Sequence, residues 1–266
     1  MQVITMKWVL ISLLILSTVS ATSQAAEVIR CAYQSSNNFP FQLGSGLQIK
    51  RDKPGIAVEM VLMLEQRLGV KVVLQRLPWK RAEKRLRDGA IDCLFNASYK
   101  NSRLVNGKFP MLNGKVDVSK RSYFNSYAIF ALYGSNLSWD GRQLFNPSGK
   151  MIGAESSFSV ITDLKAMDLN VYEAISIEQL MRLVKHQRVI GAVVFEQLGD
   201  AFLKIHDKEY MNIEKMTPAF KKKAYYLMLS HQFVKDSPLL SERIWSSLAK
   251  IRESQEFKLM IEKYIQ

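Results

Sequence analysis

Arg103 closes a stretch that changes character halfway. Ala90 to Phe95 is apolar and strand-like, and Asn96, Ser98, Asn101 and Ser102 then lead to the arginine. A guanidinium is a planar fork of five donors, and it meets a carboxylate with two parallel hydrogen bonds. Ser98 adds a hydroxyl and Asn96 an amide, while Trp79, placed after Pro78, adds a flat apolar wall. These types together suit a small ligand with a carboxylate and an apolar body. Each has a plainer reading alone: Trp79 as packing at a helix start, Arg103 as a solvated loop charge. Their convergence at one edge of a sheet is what points to binding.

Groups for catalysis are thinner. His186, His206 and His231 lack metal-ligand spacing. There is no Walker loop, no dinucleotide glycine fingerprint and no G-x-S-x-G elbow. Ser247 to Lys250 matches S-x-x-K by chance, without its partner motifs and inside a late amphipathic helix. Neither a cofactor nor a metal is expected. Cys31 and Cys93 are too far apart for a CxxC redox or zinc pair. Export would permit a disulfide, but spacing fixes no bonding geometry, and two buried free thiols are expected, with the disulfide as the alternative.

The elements that must position these groups alternate. Val28–Tyr33 reads as a strand, Gly55–Leu68 as an amphipathic helix, Lys71–Leu77 as a strand, Trp79–Arg87 as a basic helix and Ala90–Phe95 as a strand. That order argues for a parallel sheet covered by helices, whose ligands sit beyond the strands' C-terminal ends. A second series has strands at Tyr127–Tyr133, Met151–Ala154, Asn170–Tyr172 and Val189–Phe195. Its helices start near Ser159 and at Ser176, which with Gln179 resembles a capping box. The strand Ala224–Leu229 and a helix opened by Ser237-Pro238 complete the chain. The pattern fits two α/β lobes better than one continuous sheet. Residues 26–126 with 223–266 are expected to form one lobe and residues 127–222 the other, joined near Tyr123–Tyr127 and Met216–Lys223.

Residues 1–25 read as a cleaved secretory signal: Lys7, an apolar run from Trp8 to Leu16, then small residues to Ala25, with Ala26 the alternative cleavage point. The run is short for a membrane span. The expected mature protein is an exported, soluble monomer of the periplasm. The formal net charge is +13, or +12 without that segment, whose one charge is Lys7. The basic residues are scattered through "KRAEKRLR", "SKR" and "FKKK", which suits solvated helix faces and not a nucleic-acid surface.

"PGIAVEMVLMLEQRLG", "LPWKRAEKRLRDGAIDCLF", "SYKNSRLVNGKFP" and "SYFNSYAIFALYGS" follow one another in an order that resembles the bacterial extracellular solute-binding proteins of family three. The likeness covers nearly all of the chain after residue 25. It implies a two-lobed type II periplasmic-binding fold, each lobe a mostly parallel sheet flanked by helices, with a two-strand hinge. It implies further a receptor that delivers an amino acid or relative to the membrane permease of an ABC importer. The family's carboxylate-binding arginine lands on Arg103, its hydroxyl partner on Ser98 and its stacking aromatic on Trp79. A ligand-binding turn lands on "GAESSFSV", with Ser157 and Ser159, and Ser157 stands where the family has glycine. The acid that takes a ligand ammonium lands on Glu196, after "GAVVF". Glu155 stands where some members carry a basic side-chain contact. Two other classes remain open. One is a periplasmic enzyme similar to cyclohexadienyl dehydratases, with Glu196 or Glu155 as general acid. The other is a ligand-sensing protein without an importer.

Overall fold

The computed structural model describes residues 26–265. The expected signal segment lies outside them. β1 (Val28–Gln34), α1 (Ile56–Leu68), β2 (Lys71–Leu77), α2 (Trp79–Arg87) and β3 (Cys93–Ser98) come first. A hairpin of β4 (Met111–Leu112) and β5 (Lys115–Val116) precedes the long β6 (Tyr123–Leu132). A second hairpin, β7 (Ser138–Trp139) and β8 (Leu144–Phe145), leads to β9 (Ile152–Glu155), α3 (Val160–Lys165), β10 (Val171–Ala174) and α4 (Ile177–Lys185). Then follow β11 (Gly191–Phe195), α5 (Glu196–Ile205), β12 (Ile213–Lys215), β13 (Lys221–Leu229), α6 (His231–Asp236), α7 (Pro238–Glu253) and α8 (Gln255–Ile265).

Local chemistry explains the main helices. α1 buries Ile56, Ala57, Met60, Val61 and Leu64, a stripe at helical spacing, and stops at Gly69 with φ 69°. The Ser176 hydroxyl accepts from the Gln179 N–H at 3.3 Å and starts α4. α5 lies on β6 because position 199 has no side chain. A Cβ there would sit 2.2 Å from the Phe130 ring.

The nine-stranded sheet runs β10-β9-β11-β6-β13-β3-β1-β2, with β12 beside β6. β2-β1-β3 are parallel at one end and β10-β9-β11 parallel at the other. Between them β6 and β13 pair antiparallel, from Lys221 opposite Tyr127 to Tyr225 opposite Tyr123. β6 then continues against β11, and β13 against β3. Two α/β halves are thus joined through two long strands. Both strands outrun the apolar segments expected from sequence. Asn125, Ser126 and Lys221–Lys223 are polar, and their extended form comes from pairing with one another.

Two other expectations change. β3 runs from Cys93 to Ser98 and not from Ala90 to Phe95. Ala90–Asp92 form a turn, held by the Arg30 N–H on the Asp92 carboxylate (2.7 Å) and the Ser230 N–H on its carbonyl (2.9 Å). The cysteines are not free thiols: Cys31 and Cys93 are direct register partners on β1 and β3, 4.5 Å apart at Cα, and form a disulfide. Among the described residues no helix is long and apolar enough to cross a membrane.

Candidate functional site

The C-terminal end of β3 does not run straight. Its pairing with β13 slips between Tyr226 and Met228, and Asn96 takes φ 62°. Asparagine tolerates this left-handed conformation better than most residues, and the bulge re-aims its side chain. The Asn96 amide donates to Gln42 Oε1 at 2.5 Å, and its oxygen accepts from the Tyr123 hydroxyl at 2.8 Å. Gln42 reaches this point because its loop is tied down from behind. The buried Arg76 guanidinium donates to the carbonyls of Ser35, Ser36, Leu43, Gly44 and Gln48.

Arg103 closes a single 3-10 turn, Asn101–Arg103, and is only 4% exposed. Its guanidinium lies over the Trp79 ring, 4.7 Å from the centroid. Nη1 donates to the Ser98 carbonyl and hydroxyl at 2.7 and 2.8 Å, and Nε to Glu83 Oε1 at 3.2 Å. Nη2 reaches across to the Ser157 carbonyl with a long bond of 3.4 Å. That last donor is the one a stronger acceptor would capture. Ser157 itself has φ 71°, so a residue with a side chain holds a backbone shape that glycine adopts freely.

Trp79, Asn96, Ser98, Arg103, Ser157 and Ser159 line one cavity of about 30 Å³. That is room for about one or two waters, so the cleft is nearly shut on itself. Phe158 of the expected turn joins them, and Gln34, Asn38, Gln42, Tyr127, Phe195 and Tyr225, not expected from sequence as ligand contacts, complete the wall. The two tyrosines could be sought by alternation on the hinge strands, once their pairing is known. Their hydroxyls bond at 2.8 Å, and burial pushes both phenols upward. The rim beside Arg103 is cationic. Lys223 Nζ donates to the Ser159 hydroxyl and carbonyl at 3.1 and 3.2 Å and pairs with Asp163. Burial pushes the Lys223 ammonium down, and burial together with nearby Arg103 does the same to Lys100. Such a field favours an anion.

Glu196 is not brought there. It opens α5 with its carboxylate on Lys215 Nζ at 3.1 Å, and Lys215 also holds Asp200 at 2.7 Å. Phe195, the last residue of β11, takes the place on the cavity wall, and the next residue turns outward with the helix. Glu155 at the end of β9 is 4% exposed and borders a neighbouring cavity. Among the described residues no cluster of three or more His, Cys, Asp or Glu could hold a metal.

Solved structures share this arrangement. The chain superposes on the GluR0 ligand-binding core of Nostoc punctiforme in complex with L-glutamate at TM-score 0.67 and 14% identity, covering 89% of this chain and 98% of that one. An ancestral arginine-binding protein bound to arginine gives 0.68 and 15%, with 90% and 98% covered. A histidine kinase sensor domain similar to periplasmic binding proteins gives 0.68 and 16%, with 90% and 96% covered. At these identities the likeness establishes the fold, two lobes of the type II periplasmic-binding kind. No curated protein sequence matches the chain. The profile of one family matches residues 36–266, nearly all of the described chain: the protein belongs to the bacterial extracellular solute-binding proteins, family 3.

Proposed function

We propose that the chain is a periplasmic receptor that captures a small carboxylate-bearing ligand, an amino acid or a relative, between its two lobes for the permease of an ABC importer. Residues 26–126 with 223–266 make one lobe and residues 127–222 the other. The observation that carries the reading is the Arg103 guanidinium, stacked on Trp79, fixed by Ser98 and facing the Ser157–Ser159 turn across the cleft. A ligand carboxylate takes the place of the Ser157 carbonyl on Nη2 and receives Ser159 from the second lobe. Trp79 covers the apolar body. Glu196 serves an ammonium only by giving up Lys215. Similar structures include the substrate-binding protein of an amino acid ABC transporter and one with bound histidine, which supports this ligand class.

Thermal unfolding of the mature chain against a panel of amino acids, dicarboxylates and deaminated acids tests the reading. A true ligand at a hundred times its dissociation constant adds about 2.7 kcal/mol of stability. Unmoved midpoints across the whole panel would exclude a carboxylate site.

A further inference from the structure

The cavity beside Arg103 has cations at its edge and no acid in its wall. Arg103 and Lys223 reach the Ser157–Ser159 turn, while their own counter-ions, Glu83 and Asp163, are not lining residues. Two acids that adjoin the wall in sequence are engaged elsewhere. Glu196 pairs with Lys215, and Glu155 lines the neighbouring cavity with its carboxyl on the Ser36 hydroxyl. An ammonium entering here loses its hydration and meets a guanidinium but no carboxylate.

Most oxygens that could receive an ammonium are already bonded. The Ser98 carbonyl and hydroxyl accept from Arg103 Nη1, and the Tyr127 and Tyr225 hydroxyls bond each other. Asn96 is held between Gln42 and Tyr123, and the Gln42 amide donates to the Gln34 and Ser36 carbonyls. Asn38 is the exception. It is 5% exposed, and among the described residues its Oδ1 is the one buried side-chain polar atom of this wall without a hydrogen bond. The backbone fixes its place: the Asn38 N–H donates to the Gln42 carbonyl, and the Asn38 carbonyl accepts from the Phe41 N–H, both at 2.8 Å. A buried amide oxygen left open is a place for one neutral donor.

We propose that the cleft selects a small hydroxy acid, its carboxylate on Arg103 and its hydroxyl on Asn38 Oδ1, over the amino acid of the same skeleton. This rests on the reading of Arg103 as the carboxylate site. A hydroxyl brings one proton to the one open acceptor, whereas an ammonium brings three and a charge. Size points the same way. The cleft has room for about one or two waters, so a skeleton of a few carbons enters with the least opening.

The test is calorimetric titration of the mature protein at pH 7 with matched sets: glycolate, glycine and acetate; L-lactate, L-alanine and propionate; L-malate, L-aspartate and succinate. In a set that binds, the hydroxy acid should bind at least about tenfold more tightly than the amino acid, the scale of a buried charged donor left unmet. It should bind about two- to tenfold more tightly than the deaminated acid, the net range of a neutral hydrogen bond. Asn38→Asp, nearly isosteric, puts a carboxylate at the open oxygen. It should fold normally by circular dichroism and turn the preference toward the amino acid; a folded variant that keeps the parent's preference overturns the proposal. The comparison on the parent protein needs no variant. An amino acid or a deaminated acid that binds as tightly as its hydroxy partner overturns the hydroxy-acid site and leaves the carboxylate site standing. Silence from every set overturns both.

Discussion

At the scale of single residues, Arg103 and Glu155 carry opposite burdens. Arg103 is buried, yet its charge is met by Glu83, by the Ser98 oxygens and by the Trp79 face. Arg103→Lys keeps the charge and loses the planar fork, so it should bind the cognate ligand about thirtyfold to several-thousandfold more weakly, equivalent to about 2–5 kcal/mol, with the fold intact. Calorimetric titration beside circular dichroism measures this, and an unchanged affinity would make Arg103 a structural residue only. Glu155 has a folded-state value of about 8 against an ordinary 4.5, so the folded ligand-free protein holds a proton that the unfolded chain releases. That contribution to stability is complete below pH 4.5, falls as pH rises through about 8 and is flat above. Its full span is on the order of 5 kcal/mol. Urea midpoints from pH 4 to pH 9 should show the decline in the parent, and Glu155→Gln should flatten it. Equal slopes in the two proteins would mean that Glu155 stays ionised.

At the scale of elements, helices and strands hold their places through contacts that a single atom can upset. α5 rests on β6 where Gly199 meets the Phe130 ring, and a Cβ would come within 2.2–2.9 Å of three ring carbons. Phe130 is fully buried and has no room to swing away. Gly199→Ala should therefore cost about 1–3 kcal/mol by overpacking, more than the roughly 1 kcal/mol that alanine gains in a helix. A lowered urea midpoint checks it, and a raised one would mean that the helix slides freely on the strand. β1 and β3 are cross-linked by Cys31–Cys93 over a sequence separation of 62. Changing both to alanine should remove about 2–4 kcal/mol, at about 2–4 °C of midpoint per kcal/mol for a chain of this size. Reducing agent should lower the parent's midpoint and leave the double variant where it is.

At the scale of the whole molecule, Arg103 reaches the Ser157 carbonyl and Lys223 reaches Ser159 and Asp163, contacts that join the two α/β halves across the cleft. Lys223 lies on β13 where that strand crosses β6, so its ammonium acts as a latch beside the pivot. A ligand closes such a cleft only through contacts that the open form lacks. Charged hydrogen bonds of this kind contribute about 1.5–3 kcal/mol. Lys223→Met should consequently shift the ligand-free ensemble toward open forms, seen as a larger radius of gyration in solution scattering. Saturating ligand should restore the parent's value, at a weaker apparent affinity. Identical scattering curves for parent and variant without ligand would remove the latch.

Much of this was legible in the chain because its causes are local. The apolar stripe of α1, the Ser176 cap of α4 and the β-α-β alternation follow from residues a few positions apart. Parallel strands place their C-terminal ends at one edge, so Trp79, Asn96, Ser98 and Arg103 could be expected to converge there. What pairing decides lay beyond that reach. The disulfide depends on β1 and β3 lying side by side with Cys31 opposite Cys93, and no spacing of 62 residues encodes that register. Tyr127 and Tyr225 meet because β6 and β13 cross, and Gln42 enters the wall because Arg76 binds its loop. The two acids divide the same way. Glu196 and Glu155 each follow an apolar strand, but one turns outward to Lys215 with the first turn of a helix and the other is enclosed by the loop after β1. Position along the chain sets which residues end a strand; which neighbours desolvate them is set only when distant segments pack together.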